Sequence, residues 1–132
     1  MKKILILITV ISFASCTSEK LDMSAARKTA ESAIQLIGDK KFDGLAALYT
    51  KDFNDSEPKE TRELKLQQII DAVGNVMEYK LTDSTQVNNT GEESRIVLKY
   101  KVKHSKLSTT ETYTIMKDEG KYLLSNIDIT NK

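Results

Sequence analysis

The chain of 132 residues has one cysteine, one histidine, one proline and no tryptophan. A lone cysteine excludes an intrachain disulfide and any multi-cysteine zinc or iron–sulfur site. Carboxylate-only metal sites have no pattern here to mark them, and the expectation is no metal and no cofactor. Excess charge of either sign is also missing, with 20 Lys and Arg against 19 Asp and Glu. Without a basic surplus, a nucleic-acid partner is not expected. No Gly-rich phosphate loop, no His-Glu-x-x-His and no Gly-x-Ser-x-Gly occurs, so the familiar catalytic signatures are absent. What is present, 39% hydrophobic and 30% charged residues, suits a globular chain with a modest core. The length allows one domain.

The longest apolar run and the only cysteine stand together at the start, in MKKILILITVISFASCTSEK. Lys2 and Lys3 form a charged n-region, residues 4–11 an apolar h-region, and small residues follow, which is the pattern of an export signal. The run is too short to span a bilayer, which takes about 20 apolar residues. Phe13-Ala14-Ser15-Cys16 resembles a bacterial lipobox, with Phe13 where Leu is common, as in Bacteroidetes-type leaders. That resemblance implies cleavage before Cys16 and acylation of its thiol, a polar tether beyond it, and an envelope location, with the outer membrane favoured because Thr17 is not an aspartate. The expected organisation is a signal peptide over 1–15, a lipidated tether over 16–21 and a single domain over 22–132. The plainer alternative is a secreted or cytosolic protein whose cysteine lies there by chance.

Beyond the tether, the spacing of Ala26, Ala30, Ala33, Ile34 and Ile37 predicts a helix capped at Asp22 or Ser24 and stopped near Gly38. DKKFDGLAALYTKDF predicts a second, short helix, weakened by Gly44 near its first turn. KETRELKLQQIIDAVG predicts a third, with Leu66, Ile69, Ile70 and Val73 as its stripe. The period then changes to two. Met77, Tyr79 and Leu81 alternate with Glu78, Lys80 and Thr82, and Ile96, Leu98, Tyr100 and Val102 alternate with Arg95, Lys99, Lys101 and Lys103. TTETYTIMKDEGKYLLSNIDI predicts two more strands joined at residues 117–120, and the run 109–112 reads as β-branched material on an exposed face. Helices followed by closely linked strands predict an α+β domain, three N-terminal helices packed on a curled four-stranded antiparallel sheet.

Residues 22–129 in this order resemble the nuclear transport factor 2-like, cystatin-like cone superfamily, and within it the small bacterial lipoprotein domains. The segment Ala33-Ile34-Gln35-Leu36-Ile37-Gly38-Asp39-Lys40-Lys41-Phe42 is similar to the family's joint between its first two helices. Glu119-Gly120-Lys121-Tyr122-Leu123-Leu124-Ser125-Asn126-Ile127 is similar to its last hairpin, with Tyr122 where tryptophan is usual. The resemblance implies a cone whose open end can form an apolar pocket, used by isomerases and dehydratases and equally by inert binding domains. Tyr79, Leu98, Tyr100 and Tyr113 are the expected pocket-lining residues, with aromatic core packing as the plainer role of the tyrosines. His104, with no carboxylate near it in its strand, is expected at a surface or edge rather than as a general base.

Two function classes follow. The first is a membrane-anchored, non-enzymatic accessory domain that binds a small apolar ligand or an envelope protein, with membrane lipid engaged through acylated Cys16. The second is a metal-independent cone-fold enzyme of isomerase or dehydratase type, for which Tyr79, Tyr100, Asp83 and Asp128 are the polar candidates. A purely structural envelope spacer is a third role. The lysine stripe of residues 99, 101 and 103, with Arg95 and Lys106, could meet anionic headgroups, although a solvated face flanked by acids such as Glu111 is the plainer expectation. No oligomeric state is legible.

Overall fold

A computed structural model describes residues 19–131, so the leader, Cys16 and its acylation lie outside the described residues. Three α-helices, α1 (Met23–Gly38), α2 (Lys51–Asp55) and α3 (Lys59–Val73), precede four strands, β1 (Val76–Val87), β2 (Arg95–His104), β3 (Ser108–Asp118) and β4 (Lys121–Thr130). The strands form one antiparallel meander in the order β1-β2-β3-β4, which leaves β4 as an edge. The fold is α+β, helices on one face of the sheet. Among the described residues no helix is long and apolar enough to cross a membrane.

Asp22 caps α1 by accepting from the Ala25 N–H at 3.1 Å, and the small face of Ala26, Ala30 and Ala33 is fully buried. Small side chains let the helix axis lie close to the sheet, where Ile34 and Ile37 fill the remaining space. At its end Gly38 allows a close approach, since a Cβ there would stand 2.7 Å from Val76 Cγ2. α3 ends at Gly74, whose φ of 91° suits glycine alone. A Cβ on Gly74 would also strike Ser105 Oγ at 2.1 Å.

Three expectations change locally. The second helix is not continuous over residues 39–53: two 3-10 turns, Phe42–Gly44 and Ala46–Leu48, lead to α2, which starts only at Lys51. The cause is the extended backbone at Tyr49 and Thr50, where Tyr49 bridges Leu124 and the Thr50 N–H donates to the Leu124 carbonyl at 2.8 Å. Met77 is not an inward residue but 66% exposed, because the β1–β2 register slips between Val76 and Glu78 and leaves it unmatched. Finally, the tether expected over 16–21 is already docked by its last residues. Leu21 is buried in the core, its N–H donates to Gln86 Oε1 at 3.0 Å, and Gln86 Nε2 donates to the Glu19 carbonyl at 2.8 Å.

The core lies between α1, α3 and the concave sheet face. Period-two alternation supplies Ile96, Leu98, Tyr100 and Val102 from β2 and Tyr113 and Ile115 from β3, all at 0% exposure. Tyr79, Tyr100 and Tyr113 form a file of edge-to-face rings, with centroids 6.2 and 5.9 Å apart. Such pairs contribute roughly 0.5–1.5 kcal/mol each beyond their burial. They stand where a tryptophan-free chain needs bulk.

Candidate functional site

The same alternation that buries Tyr113 and Ile115 also buries Thr109 and Glu111, because residues 109, 111, 113 and 115 share one face of β3. This corrects the expectation that 109–112 lie on an exposed face beside the lysines. It also corrects the placing of His104, which is 5% exposed, since β2 keeps its alternation to its last residue. His104 Nδ1 faces the Gly74 carbonyl at 3.0 Å. A carbonyl can only accept, so Nδ1 donates to it. Nε2 then stands 3.0 Å from Thr109 Oγ1 and 3.3 Å from Glu111 Oε1. Thr109 donates to Glu111 Oε1 at 2.9 Å, and the Tyr113 hydroxyl donates to Glu111 Oε2.

Both carboxylate oxygens of Glu111 and both ring nitrogens of His104 are therefore engaged by the protein itself. Burial, first, and then the Glu111 carboxylate hold the Tyr113 phenol well above its ordinary pKa. The cluster combines an acid, an imidazole and a phenol, yet every group points at another member. It is a buried, satisfied polar core, costly to break.

An open site lies elsewhere, along the line where α3 passes the edge strand β4. One face of α3 presents Arg62, Lys65, Leu66 and Ile69, and β4 presents Asn126, Ile127 and Ile129; Tyr49, Phe53 and Glu57 close the end. The trough between them holds about 270 Å³. Ile69 and Ile129 are shared with a second recess of about 400 Å³, lined further along α3 by Ala72 and Val73 and across it by Leu107, Thr109, Thr130 and Asn131. Spacings of three and four carry one helix face along the whole line.

The closed end is built by the extended pair Tyr49-Thr50. Thr50 accepts from the Phe53 N–H at 3.2 Å and so starts α2, which sets Phe53 edge-on to Tyr49 with centroids 4.6 Å apart. The Arg62 guanidinium lies over both rings, 5.1 Å from the Tyr49 centroid and 4.8 Å from that of Phe53. Its Nη2 donates to the Phe53 carbonyl and to Ser56 Oγ at 3.3 Å, and its Nε is 3.7 Å from Glu57. Glu57 is held more closely by Lys65, at 2.5 Å. The Tyr49 hydroxyl is buried and has no hydrogen-bond partner. Burial, countered by Arg62, pushes its pKa up to about 12, so at neutral pH it is a donor.

The residues named from the sequence fall differently. Leu98, Tyr100 and Tyr113 are fully buried in the core and do not border the trough. Tyr79 is half-buried and its hydroxyl accepts from Gln35 Nε2 at 3.2 Å beside α1. Asp83 and Asp128 are exposed, so Tyr100 meets neither; its hydroxyl donates to Glu31 at 3.4 Å. The lysine stripe does lie on the outer face, where Glu78 pairs opposite Lys103 and Asp83 opposite Lys99. Tyr49 and Arg62 were missed. For Arg62 a signal existed: it sits four residues before Leu66, in line with the helix's apolar stripe. Among the described residues, no group of three or more His, Cys, Asp or Glu side chains is gathered to hold a metal.

No family model matches the chain, and no curated protein matches it. Solved structures do resemble it. One is an NTF-2-like protein of unknown function from Shewanella oneidensis, with a TM-score of 0.54 at 8% identity over 80% of this chain and 96% of that one. Another is the beta subunit of the benzoate 1,2-dioxygenase from Burkholderia mallei, with a TM-score of 0.54 at 12% identity over 86% and 93% of the two chains. At such identities the likeness is one of fold. The fold is the nuclear transport factor 2-like cone expected from the sequence.

Proposed function

We propose that the protein is a non-enzymatic accessory domain that binds a small apolar ligand in the trough between α3 and β4 and is held on a bacterial envelope membrane by acylated Cys16. The observation that carries the binding role is the contrast between the two polar sites: the His104–Glu111 cluster is buried and internally satisfied and borders the recesses only through Thr109, whereas the trough is open and mostly apolar. Ligand sites are typically concave, apolar and marked by a few placed polar groups, and Tyr49, Arg62 and Lys65 are such groups.

The anchoring role rests on the lipobox-like residues 13–16. Two residues lie between Cys16 and Glu19, and the three peptide links between them reach at most about 11 Å. Because Gln86 and Lys117 hold Glu19, acylation would set that end of the sheet close to the lipid. The outer membrane is the proposed location.

The test is native mass spectrometry of the chain extracted from its own host. Acyl mass on Cys16 together with a retained small molecule is the expected result. Cys16→Ser should fractionate with soluble material, and membrane retention of that variant would remove the anchor. A chain that turns over a ligand, with activity lost in Glu111→Gln, would instead favour the isomerase or dehydratase alternative.

A further inference from the structure

The trough is chemically polarised from end to end. At the closed end stand two buried donors without a hydrogen-bond partner, the Tyr49 hydroxyl and Arg62 Nε, and two cations, Arg62 and Lys65, against the carboxylate of Glu57. Glu63, on the other side of Tyr49, lies 3.5 Å from Lys59, which Asp43 holds more closely at 3.1 Å. The middle is apolar, with Leu66, Ile69, Ile127 and Ile129. The far end, at Ala72, Val73, Leu107 and Thr109, carries no charge. From Arg62 to Val73 the helix advances about 16 Å at its usual rise per residue.

We propose that the trough takes a linear acyl carboxylate, its head at Tyr49 and Arg62 and its chain laid between α3 and β4 toward Leu107. This rests on the trough being the binding site. A buried donor without a partner is costly, so an occupant that accepts from it gains what a plain hydrocarbon cannot. A carboxylate accepts from the two unpartnered donors, Tyr49 Oη and Arg62 Nε, and faces the Arg62 and Lys65 cations. An ammonium head would face Arg62 and Lys65 and leave the Tyr49 proton unused. The chain then replaces water along the isoleucines, each buried CH₂ contributing roughly 0.8 kcal/mol.

Calorimetry on the full chain carrying Cys16→Ser, free of detergent, tests this with octanoate and octylamine at neutral pH. Octanoate is expected to bind about tenfold or more tightly than octylamine, the scale of a hydrogen bond to a charged group. Tyr49→Phe, which removes only the unpartnered hydroxyl, is expected to weaken octanoate by about fivefold to tenfold and to leave octylamine unchanged. Ile129→Trp, which fills the shared wall of the two recesses, should abolish both. Equal binding of the two probes, or octanoate indifferent to Tyr49→Phe, would overturn the carboxylate head while leaving the trough as a site. Binding of neither probe, or binding undisturbed by Ile129→Trp, would overturn the trough itself and the acyl carboxylate with it.

Discussion

His104 Nε2 lies 3.3 Å from Glu111 Oε1, with the two side chains only 1% and 4% exposed. Neighbouring strands bring them together diagonally, for Val102 pairs with Thr109 and Tyr100 with Glu111. Removing one member strands the others. Glu111→Ala is expected to cost about 3–5 kcal/mol, the range for breaking a buried pair, and Glu111→Gln less, because it keeps the volume and an acceptor. Denaturant midpoints measure both, and a loss under about 1 kcal/mol for the alanine variant would show that water reaches the cluster.

Tyr49 gives the opposite sign. Its hydroxyl has no hydrogen-bond partner, so Tyr49→Phe should raise the stability of the ligand-free chain by about 1 kcal/mol. Function and stability then diverge at one atom. A variant less stable than the parent would mean that the hydroxyl is bonded in solution.

Alkaline pH separates the buried phenols from ordinary ones. Burial raises Tyr49 to about 12, raises Tyr100 with help from Glu31, and holds Tyr113 well up. Above about pH 10 the unfolded chain loses phenolic protons that the folded one keeps. Stability is therefore full below pH 10 and falls as pH rises through 12. Phenolate absorbance and circular dichroism should change together in that window. Complete phenol ionisation near pH 10 in a still-folded chain would contradict the burial.

Two substitutions test the joint between α1 and β1. Gly38→Ala places a methyl against Val76 and should cost about 1–3 kcal/mol through overpacking. Met77→Thr, at the exposed bulge, should stay within about 0.5 kcal/mol of the parent. Thermal melts compare them directly, and the reverse ranking would mean that the β1 register differs.

Much of this architecture was legible because it rests on period. The alternation through Ile96, Leu98, Tyr100 and Val102 determines a half-buried strand whatever its neighbours do, and the alanine face of α1 determines a close-packed helix. Glu111 was misplaced because a carboxylate beside threonines suggests a solvated face. The alternation through Tyr113 and Ile115 already put it inside, but its partner His104 is supplied by another strand. Met77 was misplaced because a bulge is a matter of register between strands. The trough is harder still, since Tyr49, Arg62 and Ile129 are far apart in the chain and meet only where a broken helix, the start of α3 and an edge strand converge.

Methyl NMR of the isoleucines during octanoate addition tests the central claim most directly. Ile69, Ile127 and Ile129 border the trough and should shift together, while Ile96 and Ile115, fully buried and paired with each other across β2 and β3, should stay in place. Shifts confined to Ile96 and Ile115, or none at all, would contradict a binding site between α3 and β4.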